Sequence, residues 1–187
     1  MQKTTKKKRR VPIFGTLAVM VASALLVAMS IVLGKYLAIN AGNVLRFSFE
    51  NLPIMLAGML FGPIIGAMVG LVADLLGCVL VGYTVNPVVT VGAVAIGALS
   101  GTVYYLLKKR LSLAHGACIV LSVAAAHAVG SVLIKTPGLA VFYDMPFVAL
   151  LLWRLLNYAI IGAGEAFLLY FITKNKAVVS SLERIKR

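Results

Sequence analysis

Four ionisable residues, Glu50, Asp74, Arg154 and Glu165, stand within or beside long apolar runs of the chain. Such residues are costly in a hydrocarbon setting and mark sites unless something else explains them. Asp74 and Arg154 each fall about eight residues from the same end of their runs, which at 1.5 Å per residue is roughly 12 Å deep. Equal depth allows an ion pair, serving as the polar wall of a binding cavity, as a lock between two helices, or as both. Arg46 and Glu50 are four apart, the spacing that places two residues on one helical face, either at a cavity mouth or as a solvated surface pair. Glu165 lies far along the last apolar run and is expected near the interface, against basic residues or water.

Around Arg154 the chain reads Trp153-Arg154-Leu155-Leu156-Asn157-Tyr158. Asn157 follows Arg154 by three and Trp153 by four, so the three can share a helical face. An aromatic ring, a guanidinium and an amide together suit a flat ligand rich in hydrogen-bonding groups. Trp and Tyr also gather at membrane interfaces as anchors, so Trp153 has two readings. Asn86 and Thr90 flank Pro87 and supply further polar groups, with helix capping as their alternative role. His127 reads as an interior histidine with a satisfied ring rather than as a ligand.

The sequence also lacks particular chemistries. It has no GxxxxGK[ST] phosphate loop, no HExxH and no GxSxG, the patterns that would support ATP use, zinc proteolysis or serine hydrolysis. His115 and His127 make no metal-ligand spacing with a nearby acid, and no cofactor is implied. Cys78 and Cys118 sit singly in apolar runs and read as small buried hydrophobes.

These groups must be positioned by elements that live in a bilayer. Of the 187 residues 61% are hydrophobic and only 12% charged, against about a quarter charged in soluble domains. The mean hydropathy is +1.02. A bilayer core of about 30 Å needs about 20 apolar residues per helix, and the runs predict six transmembrane helices. These span about 12–33, 46–61, 63–81, 88–107, 113–134 and 146–173. Gly62-Pro63, the stretch Gly82–Pro87 and the break Lys135-Thr136-Pro137-Gly138 separate them. The first run is longer than the apolar stretch of a signal peptide and is expected to be retained. The second is short and begins with the polar LRFSFEN, which at that depth is tolerated only against protein or a cavity.

The net charge of +13 does not describe a nucleic-acid footprint, because the cations cluster. One block is Lys3, Lys6–Lys8, Arg9 and Arg10; another is Lys108–Arg110; the third is Lys174, Lys176, Arg184, Lys186 and Arg187. Only Lys35, Arg46 and Lys135 fall in the opposite loops. By the positive-inside rule the expectation is an all-α integral membrane protein with both termini cytoplasmic. Its membrane domain spans 12–173, between basic tails at 1–11 and 174–187. Ala18, Ala22, Ala24 and Ala28 form small-xxx-small pairs on helix one, which permit close helix approach.

The runs from Ala24 to Leu33, LRFSFENLPI (45–54), LAGMLFGPIIGA (56–67) and Gly70 to Asp74 resemble the S components of energy-coupling factor (ECF) transporters. The arginine-to-proline stretch and the AGMLFGP turn look most like the folate-specific branch. The resemblance implies a six-helix, multi-pass subunit of a bacterial plasma membrane that captures a vitamin from outside. Transport then requires docking to a membrane coupling protein and two ATPases. Ala24 and Ala28 map onto the docking surface of that family, and the stretches Lys35–Leu45 and Gly82–Pro87 onto its lids. The subunit is thought to topple in the membrane to release its ligand. Folate's pterin ring would stack on Trp153, Tyr158 or Phe47 and meet Asn86, Asn157 and Asp74. Its glutamate carboxylates would meet Arg46, Arg154 or Lys135. Another vitamin such as riboflavin or thiamin, a self-sufficient secondary transporter, and a membrane enzyme are the competing readings.

Overall fold

A computed structural model describes residues 17–41, 45–142 and 144–175, together with 178 and 180. Most of both basic tails therefore lies outside the described residues. Helix α1 (Leu17–Ile31) runs on into a wide-turn π segment, Val32–Tyr36, and then a hairpin of two short strands, β1 (Ile39–Ala41) and β2 (Leu45–Phe47). Helices α2 (Asn51–Phe61), α3 (Pro63–Val81) and α4 (Pro87–Arg110) follow. Then come α5 (His115–Ala126), a second π segment (His127–Lys135), α6 (Thr136–Phe142) and α7 (Phe147–Lys174). Since α5, the π segment and α6 form one continuous rod, the described residues make six rods. Five are long and apolar enough to cross a membrane, and α2 is the short one. The fold is the expected all-α membrane bundle, with the hairpin as its one excursion among the described residues.

Local chemistry sets the joints. Gly62 has φ +105° and is followed by Pro63 at the start of α3, so glycine supplies a backbone shape that other residues resist and proline starts the helix at no hydrogen-bond cost. Gly82 closes α3 in the left-handed region at φ +71°. Asn86 opens α4, its side-chain oxygen accepting from Val88 N at 3.0 Å and Val89 N at 3.4 Å.

Two expectations need correction here. The second helix begins at Asn51, not Arg46, because Leu45–Phe47 pairs antiparallel with Ile39–Ala41, Asn40 opposite Arg46. Leu45, Phe47 and Phe49 alternate with polar residues, a period of two that suits a strand. The chain also does not break at Lys135–Gly138. It stays helical to Phe142, because π winding changes the hydrogen-bond pairing ahead of Pro137 and removes the need for its missing N–H. Thr136 helps by donating its hydroxyl to Ser131 O at 3.1 Å.

The core lies around α2, whose residues from Asn51 to Met59 are all buried. Ile54, Met55 and Met59 pack with Val69, Ala73, Ile96, Ile119, Val123 and Leu169. The perimeter is apolar as well, with Leu25, Val79, Leu80, Val91, Leu152, Ile160 and Phe167 exposed, as a lipid-facing surface requires.

Candidate substrate-binding site

At the end of the bundle where α1 finishes and α2 begins lies a cavity of about 520 Å³, inside the about 300–1,000 Å³ range of small-molecule sites. Its wall takes residues from nearly every rod: Lys35, Glu50 and Asn51, Asp74, Tyr83, Thr84 and Asn86, Lys135, and the α7 face of Leu150, Arg154, Asn157, Tyr158 and Ile161. That α7 spacing of threes and fours is one helical stripe. Three cations and two carboxylates thus share a chamber otherwise lined by hydroxyl, amide and apolar groups.

The charges pair differently from the expectation. Asp74 accepts a hydrogen bond from the Thr90 hydroxyl at 2.6 Å, and Arg154 donates to the Tyr158 hydroxyl at 2.7 Å and lies over its ring at 5.2 Å. Asp74 and Arg154 therefore face one cavity without forming the expected pair, because each has a nearer partner on its own side. Nor do Arg46 and Glu50 share a helical face, since a strand carries the one and the turn before α2 the other. Arg46's side chain lies outside the described set, and Glu50 lies 3.9 Å from the ammonium of the buried Lys135. Lys35 reaches over the Tyr83 ring at 5.5 Å, and its stem passes where a side chain on Gly77 would stand.

Seven residues singled out from the sequence, Glu50, Asp74, Asn86, Lys135, Arg154, Asn157 and Tyr158, line this cavity. Three do not. Thr90 sits behind Asp74 as its hydrogen-bond donor. Trp153 is 47% exposed on the outer side of α7, because the stripe centred on Arg154 and Tyr158 turns its neighbour outward; this is the placement of an interfacial anchor. Phe47 belongs to β2, off the cavity wall. Asn86 caps α4 and also stands on the cavity wall, with its amide 3.4 Å from Gly138 O. Glu165 corrects another expectation: it is fully buried and hydrogen-bonded to His127, away from basic ends and water.

Lys35, Ser48, Asn51, Tyr83 and Thr84 were not singled out as ligand contacts, yet they line the cavity. The available signal was charge bookkeeping, because Lys35 and Lys135 are cations in segments that the positive-inside rule leaves poor in them. Asn51 is buried, and its side-chain oxygen has no hydrogen-bond partner among the described residues. A buried acceptor of that kind is expensive unless a ligand or water meets it.

The opposite end of the bundle is basic. Lys108, Lys109 and Arg110 close α4 and Lys174 closes α7. His115 ties these ends together, bonding Thr173 at 2.9 Å and Tyr104 at 3.3 Å.

A polar chamber entered from one end of a lipid-facing bundle, with its charges held among the helices, defines a membrane protein that binds a solute. The particular family follows from residues 18–173, which match the family model described as "ECF transporter, substrate-specific component", and the chain belongs to that family. It is similar to the folate transporter FolT of Clostridium novyi (strain NT), at 32% identity over 113 residues, 55% of this chain. The match spans 62% of that relative, less than two thirds of its length.

Solved structures share the fold. A crystal structure of FolT bound with folic acid superposes with a TM-score of 0.70 at 24% identity, covering 86% of this chain and 96% of that one. An S component for biotin from an ECF-type ABC transporter gives 0.61 at 18% identity, covering 90% and 95%. An S component of a bacterial ECF transporter gives 0.60 at 20%, covering 83% and 95%.

Proposed function

We propose that this chain is the folate-capturing subunit of an ATP-driven importer, binding its vitamin in the 520 Å³ cavity. The observation that carries the reading is the pairing of chemistries on one wall. Lys35, Lys135 and Arg154 suit a dicarboxylate tail, while Asn51, Asp74, Asn86 and Asn157 suit a fused ring with donors and acceptors on its edge. Arg and Lys make charge-assisted bonds with carboxylates, and a buried amide rejects ligands that leave it unpaired. Support from outside the site comes from the similarity to a folate transporter and to the fold of FolT with folic acid.

In this reading the basic end carrying Lys108–Arg110 and Lys174 faces the cytoplasm, both termini with it, and the cavity opens outward. The membrane is a bacterial plasma membrane. Ala24 and Ala28 are exposed on α1, and Ala24 borders a shallow apolar groove with Ile65, Met68 and Val72 of α3. This small-residue face suits close approach by the helix of a membrane coupling protein, which in turn binds two ATPases. The subunit would carry no catalysis of its own.

Isothermal titration of the detergent-purified protein with folate, against riboflavin and thiamin, tests the substrate. Tight one-to-one folate binding without ATP or partners is expected. A clear signal from another vitamin and none from folate would keep the family and overturn the substrate.

A further inference from the structure

Glu165 is fully buried among the described residues, and the cavity does not use it. One of its oxygens lies 2.5 Å from His127 Nε2, and the other has no hydrogen-bond partner among the described residues. Nδ1 of His127 lies 3.1 Å from the Ser131 hydroxyl. The same imidazole stacks on Tyr158, centroids 4.9 Å apart and planes 28° apart, and Tyr158 carries Arg154 on its hydroxyl and ring face. An unbroken line of contacts thus runs from a carboxyl on α7, through the start of the π segment, back to α7 and into the cavity wall.

His127 is also the first residue of the π segment that ends at Lys135. π winding spends about one extra residue per turn, and such segments are rare and frequently stand at functional sites. How the segment is anchored at His127 therefore decides which way Lys135 faces. Two contacts along the way transmit the setting. Ser131 O takes the Thr136 hydroxyl at 3.1 Å and lies 3.5 Å from Arg154 Nη2. The Lys135 stem occupies the space a side chain on Gly92 would need, 2.4 Å from that Cβ position.

We propose that the His127–Glu165 pair is a positioning device for the cavity, holding the π segment and Tyr158 so that the ammonium of Lys135 and the guanidinium of Arg154 face the carboxylate tail of the ligand. The ligand part rests on the folate reading above; the positioning part does not. A pair that only joined the π segment to α7 would change stability and leave the preference among ligands untouched.

The test uses the full chain with Glu165→Leu, Glu165→Gln and His127→Phe, titrated with folate and with pteroate, the same ring system lacking the glutamate. Phenylalanine keeps a ring against Tyr158 and loses both hydrogen bonds, whereas glutamine keeps an acceptor for Nε2–H. Glu165→Leu and His127→Phe are expected to weaken folate at least tenfold and pteroate less than threefold, with Glu165→Gln restoring most of the loss. Equal loss for both ligands, or none for either, overturns the proposal.

A second readout needs no vitamin. With Cys78 and Cys118 replaced by alanine, Lys135→Cys is labelled by a charged methanethiosulfonate, with and without Glu165→Leu. An at least fivefold change in rate is expected, and an unchanged rate overturns the positioning role. Should wild type bind no folate, the substrate reading falls and the labelling rate alone decides this one.

Discussion

The two sides of the bundle are built on different rules. Across α2, α3 and α4 the backbones touch: a Cβ added at Gly97 would stand 2.0 Å from Gly66 O, at Gly58 2.4 Å from Gly97 O, and at Gly70 2.3 Å from Ala93 O. Between α5 and α7 the rods instead leave an apolar groove of about 720 Å³. Its floor includes His127 and Tyr158, and a Cβ at Gly162 would meet only ordinary contacts, 3.4 Å from His127 Cδ2. The first side is a slab locked by small residues, holding Asp74 and Asn86 at fixed spacing. The second carries Lys135 and Arg154 on a wall of side-chain contacts and π winding. A capture site gains from this division, because ring recognition needs a fixed frame and a flexible tail needs cations that can settle onto it.

The hardest strike at the slab is Gly97→Leu. With backbone rather than side chain in the way, its cost should exceed the about 1–3 kcal/mol of ordinary overpacking, and size-exclusion yield of folded protein should collapse. A normal yield would end the comparison.

Ala24→Trp tests whether α1, which lies beside the slab, works independently of the cavity. Uptake by the assembled transporter should fall below a tenth while folate binding in detergent stays within twofold. Uptake left intact would remove the docking role of α1.

On the looser side, Arg154→Ala should weaken folate by about tenfold to a hundredfold, the range for charge-assisted bonds at about 1.5–3 kcal/mol each, as read by titration. Gly162→Ala should not lower thermal stability and should raise it by up to about 1 kcal/mol, the helix preference of alanine over glycine. A large loss there would show that the α5–α7 side is as tightly packed as the slab.

The long rods were legible because span length and hydropathy are set by the bilayer itself. Glycine and proline at 62–63 and 82–87 marked the α2–α3 and α3–α4 joints for direct steric reasons. The hairpin was not read because Leu45–Phe47 adjoins a helix and is too short to show its period by itself. The continuation through Pro137 was hidden because a proline–glycine pair reads as a stop unless the preceding turn is known to be π. Within the site, depth counting brought Asp74 and Arg154 to one cavity but could not show that Thr90 and Tyr158 stood nearer to them than they to each other. The same counting put Glu165 at the interface, since distance along a helix says nothing about what packs beside it.

Trp153 is the only tryptophan in the chain, and it sits one residue from a cavity cation while facing outward. The protein therefore carries a single tryptophan fluorophore, excitable apart from its tyrosines, on the bilayer side of the helix whose other side lines the cavity. Brominated lipids would report how deep that helix sits, and the emission wavelength whether filling the cavity moves it, without attaching a dye.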